Sequence, residues 1–437
     1  MRSILTSLFI FCSVVAFSQS EITILAGNLL QPVGIAEGPN NTILIAEAGT
    51  GQDDGGVSIL HPQLGPIKVL DNMPSYFDTA TQEVLGPMRV QMVEGSLAAV
   101  FMAQVPGPLG SSILIFDAND LQDVVLAGGT LGPDDALHQI KLRDFVLDAG
   151  FEDSNPFSMV HDGCNMYIVD AAANAIIKRD GLTGVLSVFA VFDNVPNPAA
   201  PLGPPTVHAV PTKIVQDTSG FLVASLTGFP FNTGAANIYH VDMDGQVTVR
   251  DSGYSLVTDL MMHPEGDGFY ALQFANFSLD SMPPFIFNSS IITHTNAAGE
   301  RDTIHWGFGP SPGFLYGGED VFYVSNLFTG TLARLEPTST GLLTPDHSFQ
   351  KSLKVFPNPT SRDINLNFEL AAAGQTHIEV YNALGQNVYR KELGNQLAGS
   401  HTIKLDIPGL NSAAGQMYYV IMKSGNNWYQ ATFTVVD

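Results

Sequence analysis

A short apolar run that ends in one polar residue recurs along the chain at near-regular intervals. The runs are rich in aromatic and β-branched residues, which is typical of β-strands. Successive polar termini are separated by 57, 66, 55, 48 and 53 residues. A repeat of this length is the pattern of a β-propeller blade, so the copies predict a six-bladed β-propeller. The runs are ILIAE (43–47), VFMAQ (100–104), MYIVD (166–170), FLVAS (221–225), FYALQ (269–273) and FYVSN (322–326).

A second apolar run precedes each of these copies, and turn-forming residues lie between the two. Four of these preceding runs begin with proline, which has no N–H to donate and suits the first residue of a strand. We interpret them as the inner strands that line the central channel. They are PVGIA (32–36), PMRVQ (87–91), PFSMV (156–160), PTKIV (211–215), VTDLM (257–261) and SPGFL (311–315).

The last blade lacks an outer strand in its own stretch of sequence. TLARL (331–335) fits its third strand, and the acidic composition ends soon afterwards. At the other end of the chain, EITILAG (21–27) has no partner within its own repeat. We therefore predict that the amino-terminal segment closes the ring as the outer strand of the last blade, which removes an exposed sheet edge.

Charge divides the chain into two parts. Residues 19–350 contain 10 Lys and Arg against 36 Asp and Glu, whereas residues 351–437 contain 7 against 6. This shift predicts a domain boundary near residue 345, with a propeller over 19–337 and a linker over 338–350. The strongly acidic propeller would repel phosphates, which argues against nucleic acid as a partner.

The amino terminus has the pattern of a secretory signal peptide over residues 1–18. Arg2 precedes an apolar stretch of 13 residues from Ile4 to Ala16, and Ala16-Phe17-Ser18 fits a cleavage site. No other stretch is apolar over the length that a membrane-spanning helix needs, so we expect no transmembrane segment. Cys164 is then the one cysteine of the mature chain, and we expect a buried structural thiol there.

Two rings of residues are candidates for a site at the channel mouth. One comprises the third residues of the inner strands, which include Arg89, Lys213 and Asp259, and the other comprises the polar termini of the second strands. If both rings face one mouth, opposite charges concentrate there at low dielectric. The alternative is that these groups only satisfy one another and cap strand ends. The binding candidates are Glu47, Arg89, Gln104, Asp170, Lys213, Asp259, Gln273 and Asn326.

A metal site is a weaker expectation. Calcium prefers carboxylate and amide oxygens from different blades, which four of the candidates could supply. Arg89 and Lys213 would oppose a cation nearby, and the histidines lack the spacing of a zinc site. No G-x-S-x-G elbow, which requires a strand-to-helix turn, is predicted, so no catalytic residue is assigned. The candidate calcium ligands are Glu47, Asp170, Asp259 and Asn326.

Residues 351–437 contain alternating apolar and polar positions typical of a small antiparallel, immunoglobulin-like β-sandwich. Three stretches, VFPNPT (355–360), YNALGQNVY (381–389) and GQMYYVIMKSG (415–425), resemble the type A sorting domain of the type IX secretion system of Bacteroidetes. The resemblance implies the secretion machinery as a partner, and a secreted or outer-membrane surface location. The alternative is an accessory domain with no sorting role.

Two stretches of the propeller, residues 154–180 and 210–242, resemble the ScyD/ScyE family, and IAEAGTGQDDGG (45–56) also fits. LTGFPFNTGAA (226–236) is the most distinctive part of the match. A more distant resemblance extends to NHL repeats and gluconolactonase-like propellers. The ScyD/ScyE family has no settled catalytic residues, so the resemblance implies a fold without a mechanism.

Together these patterns predict an exported, non-catalytic propeller that binds a small polar ligand or a surface partner at the channel mouth. A metal-dependent, lactonase-like hydrolase is one alternative. A structural surface protein, whose propeller only presents loops, is another. The choice among them depends on whether the two rings of polar residues form a site, which a repeat pattern alone does not decide.

Overall fold

A computed structural model of the chain describes residues 20–337 and 353–436. Short gaps interrupt these ranges at 94–95, 200–201, 280, 282–283, 362, 371–372, 383–386, 409–416 and 425–426. The predicted signal peptide and the predicted linker after residue 337 lie outside the described residues.

The described residues from 20 to 337 form a six-bladed β-propeller, as the repeat predicts. Each blade is a four-stranded antiparallel sheet whose strands follow one another from the inner to the outer edge. Blades 1 to 3 consist of Pro32–Glu37, Ile43–Glu47, Gly55–His61 and Gly65–Met73; Pro87–Val93, Leu97–Met102, Ser112–Asp117 and His138–Lys141; and Pro156–Asp162, Asn165–Asp170, Ala175–Arg179 and Leu186–Val191. Blades 4 to 6 consist of Pro211–Asp217, Gly220–Ser225, Ala236–Asp242 and Val247–Tyr254; Val257–Met262, Phe269–Gln273, Ser290–Thr295 and Arg301–Phe308; and Phe314–Gly318, Val321–Asn326, Thr331–Glu336 and Glu21–Ala26.

The amino-terminal strand closes the ring, as predicted. Glu21–Ala26 pairs antiparallel with Thr331–Glu336, with Ile22 opposite Leu335 and Ile24 opposite Ala333. One end of this strand is anchored to the neighbouring blade, because the Ser20 hydroxyl lies 2.6 Å from Nδ1 of the buried His305. The amino-terminal strand therefore completes the four strands of the last blade.

Each pair of neighbouring blades shares a hydrophobic cluster. Between blades 1 and 2, for example, Leu44 and Val57 pack with Val100 and Leu114, and all four side chains are buried. Similar clusters join the other neighbours around the ring, including blade 6 to blade 1. Because both faces of a middle strand are covered by other blades, the second strands are continuous apolar runs rather than alternating ones.

Blade 2 departs from the repeat because it contains helices, which the sequence patterns did not indicate. Helix α1 (Ala118–Ala127) begins where the Asp117 carboxylate accepts from the N–H of Asn119, and helix α2 spans Arg143–Asp148. Both lie within the longest interval of the repeat, 66 residues, which explains that irregularity. In the described part of the chain, no helix is long and apolar enough to cross a membrane.

Short connecting elements complete the propeller. Two 3-10 turns span Pro39–Asn41 and Pro133–Asp135. Three two-stranded hairpins project from the loops of the blades. They are Tyr76–Asp78 with Glu83–Leu85, Val195–Pro196 with Thr206–Val207, and Asn276–Phe277 with Phe285–Ile286.

The expectation of a buried thiol at Cys164 is wrong, because this side chain is exposed. Asp162 pairs with Asn165, so Gly163 and Cys164 form the two-residue turn between the first strands of blade 3. Tight turns of this kind lie at the surface and need a residue with positive φ, which Gly163 supplies with a φ of 56°.

The described residues from 353 to 436 form a separate β-sandwich. Its strands alternate between buried and partly exposed positions, as in Ile364–Leu370. Residues such as Leu366, Phe368, Val420 and Phe433 build its own core cluster. One sheet contains Lys354–Phe356, Ile364–Leu370 and Gly399–Leu405, and the other contains Asn387–Gln396, Gly374–Asn382, Met417–Ser424 and Asn427–Thr434.

Candidate functional site

A β-bulge near the start of the inner strand is common to five blades, and it determines where the third residue points. The register shifts between residues 87 and 89, 156 and 158, 211 and 213, and 257 and 259, and a wider shift occurs between 32 and 35. A bulge bends its strand and re-aims the side chain that follows it. In blades 2 to 5, that side chain is the residue that the repeat predicts for the channel.

Arg89 of blade 2 forms an ion pair with Asp259 of blade 5, which is the opposite blade of the ring. Arg89 Nη1 donates to Asp259 Oδ2 at 3.0 Å, and Nη2 donates to the carbonyl of Thr258 at 3.1 Å. Both charged side chains are almost fully buried, at 1% and 2% exposed. The Arg89 side chain therefore crosses the centre of the propeller. We name Arg89, Lys213 and Asp259 the channel cluster.

Two glycines leave room for this crossing. A Cβ at Gly34 would lie 2.9 Å from Arg89 Cα, and a Cβ at Gly313 would lie 2.7 Å from the carbonyl oxygen of Val33. Side chains at these two ring positions would therefore collide with neighbouring inner strands. On another side, the Phe157 ring lies 5.3 Å from Arg89 Cζ, close enough for a cation–π contact.

The Asp259 carboxylate has partners on both oxygens. Besides Arg89, Oδ2 accepts from the N–H of Phe314 at 3.3 Å, and Oδ1 accepts from the N–H of Leu260 at 3.0 Å. Lys213 Nζ of blade 4 lies 3.5 Å from Oδ1. One carboxylate thus serves two cations from different blades.

Lys213 is the member of the channel cluster that solvent reaches, since its side chain is 19% exposed. Loss of hydration lowers its pKa from the ordinary 10.5 to about 8, and the positive charge of Arg89 contributes in the same direction. The carboxylate of Asp259 opposes this shift but does not cancel it. The ammonium is therefore held in a place that penalises its charge.

The channel cluster contains two cations and one carboxylate, so it has an excess positive charge inside a strongly acidic domain. Arg89 Nε is buried and has no hydrogen-bond partner among the described residues. The buried hydroxyl of Thr258 lacks a partner in the same part of the chain. Buried polar groups are almost always hydrogen-bonded, so the unpartnered guanidinium N–H of Arg89, which lies beside an excess positive charge, is an exception.

The polar termini of the second strands lie at the same end of the blades as the starts of the inner strands. The register pairs Pro32 with Glu47, and Pro156 with Asp170. Their polar atoms, however, bind the loop that enters their own blade. The N–H of Leu30 donates to Glu47 Oε2 at 2.6 Å, and the N–H of Asn155 donates to Asp170 Oδ1 at 2.7 Å. These contacts agree with the capping alternative for this ring.

Other termini also bind backbone groups of their own blade, although not always the loop that enters it. Gln273 Oε1 accepts from the N–H of Ser255 at 2.8 Å, and Asn326 Oδ1 accepts from the N–H of Thr329 at 3.2 Å. Burial raises the pKa of Asp170 despite its hydrogen bonds. Gln104 lies beyond the end of its strand at Met102 and is partly exposed. The structure therefore brings three of the eight candidates together, and a binding role for the other five stays a prediction.

The channel cluster does not fit a divalent cation. Within the described residues, no three His, Cys, Asp or Glu side chains come close enough to hold a metal ion. Of the four candidate calcium ligands, Glu47 and Asp170 are engaged by loops of different blades, and Asp259 faces two cations. Calcium binding by this set remains a prediction that these contacts do not support.

Residues 354–436 match the family described as "Secretion system C-terminal sorting domain". The chain therefore carries a C-terminal sorting domain of the type IX secretion system, and the protein is exported to the cell surface or released. The secretion machinery is the partner that this domain implies. No curated protein matches the chain.

Several solved structures are similar to this chain at low sequence identity. One is a structural genomics protein of unknown function from Bacteroides thetaiotaomicron, with a TM-score of 0.47 and 10% identity over 73% of this chain and 76% of that one. A gluconolactonase of Xanthomonas campestris has a TM-score of 0.45 and 9% identity over 72% and 89%. The WD40 propeller domain of Doa1 has a TM-score of 0.41 and 9% identity over 73% and 97%. No ligand or activity is carried over from them, because propellers host many functions.

Proposed function

We propose that this protein is an exported, non-catalytic propeller that binds a small anionic ligand in its channel through Arg89 and Lys213. The observation that supports it is the unpartnered Nε of Arg89, buried beside an excess positive charge. An anion beside Lys213 would neutralise the excess charge, and an anion that reached the enclosed Nε would supply the acceptor that this N–H lacks. Lys213 supplies the solvent-accessible end of the site.

Lineage and export route are part of the same proposal. The stretches at 154–180 and 210–242 favour a ScyD/ScyE-family propeller, and residues 1–18 favour a cleaved signal peptide in a member of the Bacteroidetes. A fusion of residues 351–437 to an unrelated periplasmic protein, expressed in a Bacteroidetes host, should reach the cell surface. Fusion protein that stays in the periplasm would contradict the sorting role of this segment.

Titration with acetate tests the channel site, because acetate is the simplest carboxylate. We expect saturable binding to the chain from residue 20, measured by calorimetry or NMR below pH 8, where Lys213 is charged. Lys213→Met should weaken binding about tenfold or more, since it removes one of the two cations. Lys178→Met is the matched control, because Lys178 lies on the third strand of blade 3, above the Tyr167 ring.

Two results would overturn the proposal. Equal weakening by both lysine variants would mean that acetate binds to surface charge, which salt screens. The lactonase-like alternative would be favoured instead if the purified protein contained stoichiometric calcium and if a chelator removed both the calcium and the binding of a ligand.

A further inference from the structure

Apolar side chains pack near the start of the inner strands, beside the channel cluster. The residues that directly precede the ring positions in blades 2 and 3 are Met88 and Phe157, and Met88 packs with the buried Val33 of blade 1. Leu327, which follows the second strand of blade 6, packs against the same group. Met88 and Phe157 lie one residue nearer to the start of their inner strands than the ring that contains Arg89.

The apolar surface continues over blades 4 to 6. Leu327 also packs against a second cluster, in which Leu256 and Phe274 are buried. Phe231 packs on that cluster from the loop after the second strand of blade 4, and its ring lies 5.1 Å from the Phe277 ring. Phe231, Leu327 and Phe328 are partly exposed. We name Met88, Phe157, Phe231, Leu327 and Phe328 the apolar collar.

Two chemistries therefore meet at one end of the channel: the excess positive charge of the channel cluster, and the apolar collar, most of whose side chains are partly exposed. Small inorganic anions would satisfy the first and leave the second in contact with water. The geometry points to an amphipathic monocarboxylate as the ligand, with its carboxylate at Arg89 and Lys213 and its apolar group on the apolar collar. This inference rests on the proposed anion site and adds the class of ligand.

Charge complementarity selects one carboxylate rather than two. The channel cluster has one positive charge in excess, and a second negative charge at the mouth would face an acidic domain. An apolar group of about phenyl size that leaves water for the collar adds about 2 kcal/mol, or a factor of about thirty in affinity. Neutral or cationic analogues lose the contribution of the channel cluster.

Three probes of related shape separate the two parts of the site: acetate, 3-phenylpropionate and 3-phenylpropan-1-ol. We expect 3-phenylpropionate to bind the chain from residue 20 at least about tenfold more tightly than acetate does. The alcohol should bind at least about tenfold more weakly than 3-phenylpropionate, because it has no negative charge for Lys213. These comparisons use the unmodified chain, so they do not depend on whether a variant folds.

Variants then locate the apolar group. Phe231→Ser should reduce the advantage of 3-phenylpropionate over acetate and leave acetate affinity unchanged. Phe77→Ser is the matched control, since Phe77 is exposed on the hairpin that precedes blade 2. Lys213→Met should weaken both carboxylates alike.

Each outcome bears on one part of the argument. Equal affinity for acetate and 3-phenylpropionate, with Lys213 dependence, would overturn the amphipathic ligand and leave the anion site standing. Equal affinity for 3-phenylpropionate and the alcohol would overturn the anion site and leave an apolar one. Binding of none of the probes would overturn both.

Discussion

Two sets of contacts join blades of the ring, one at the periphery and one at the centre, and they differ in chemistry. At the periphery, the strand Glu21–Ala26 joins blade 6 through backbone hydrogen bonds and apolar contacts. At the centre, Arg89 joins blade 2 to blade 5 through a buried ion pair. Backbone pairing and apolar burial stabilise a fold, whereas a buried ion pair roughly balances its own desolvation. The amino-terminal strand therefore contributes to closure of the ring, whereas the channel cluster retains an excess positive charge that a ligand can meet.

Removing the amino-terminal strand should have the largest effect on stability. We expect a chain that starts at residue 28 to lose about 5 kcal/mol or more of unfolding free energy relative to one that starts at residue 20. The loss arises because the ladder to Thr331–Glu336 and the burial of Ala26 disappear together. Urea unfolding measures it. Ile24→Ser is the control, since Ile24 is 57% exposed, and a truncated chain as stable as the control would contradict strand-based closure.

Removing the negative charge of Asp259 from the central ion pair should have the next largest effect on stability. Asp259→Asn leaves Arg89 and Lys213 buried without a counter-charge, and we expect a loss of about 3 kcal/mol. Replacing all three members of the channel cluster by apolar residues, as Arg89→Met, Lys213→Met and Asp259→Leu, should recover most of that loss. If the triple variant is as unstable as Asp259→Asn, the ion pair makes a net favourable contribution to the free energy of unfolding, which contradicts the statement that it only balances its own desolvation.

The pH dependence of stability should report the penalty on the Lys213 ammonium. Its pKa is lower in the folded state than in the unfolded state, so the unfolded chain binds more protons between about 8 and 10.5. Unfolding free energy should therefore rise with pH across this window, by up to about 3 kcal/mol. Buried tyrosines such as Tyr254 act in the opposite direction at high pH, because burial raises the pKa of that phenol. The measurement is thus the difference between the unmodified chain and Lys213→Met, and identical slopes would contradict a charged, desolvated lysine.

Removing the single hydrogen bond between Ser20 and His305 should have the smallest effect on stability. His305 Nε2 faces the carbonyl of Asp320 and must donate to it, so Nδ1 accepts from the Ser20 hydroxyl. Ser20→Ala would leave Nδ1 buried without a donor, and we expect a loss of about 1 kcal/mol. Ser187→Ala on the exposed outer strand of blade 3 is the control. A loss no larger than that of the control would show that the first residues of the strand do not contribute to closure.

Local patterns in the sequence determined the number of blades, the order of strands within each blade and the closing role of residues 21–27. These features depend on strand period, proline positions and a missing partner, which are all visible along the chain. The same patterns did not indicate the helices of blade 2, which lie between the repeats, where the apolar period is weak. They indicated a turn between the first two strands of blade 3, but not the exposure of Cys164 in it.

The candidate site shows the same division. The sequence by itself placed Arg89, Lys213 and Asp259 at equivalent positions of three inner strands, and it proposed the polar termini beside them. Only the tertiary structure decided that Arg89 meets Asp259, 170 residues away, and that Glu47 and Asp170 bind their own loops. It also decided where Phe157 and Leu327 lie. The physical reason is that a repeat specifies each blade locally, whereas closure of the ring determines which side chains face one another across the channel.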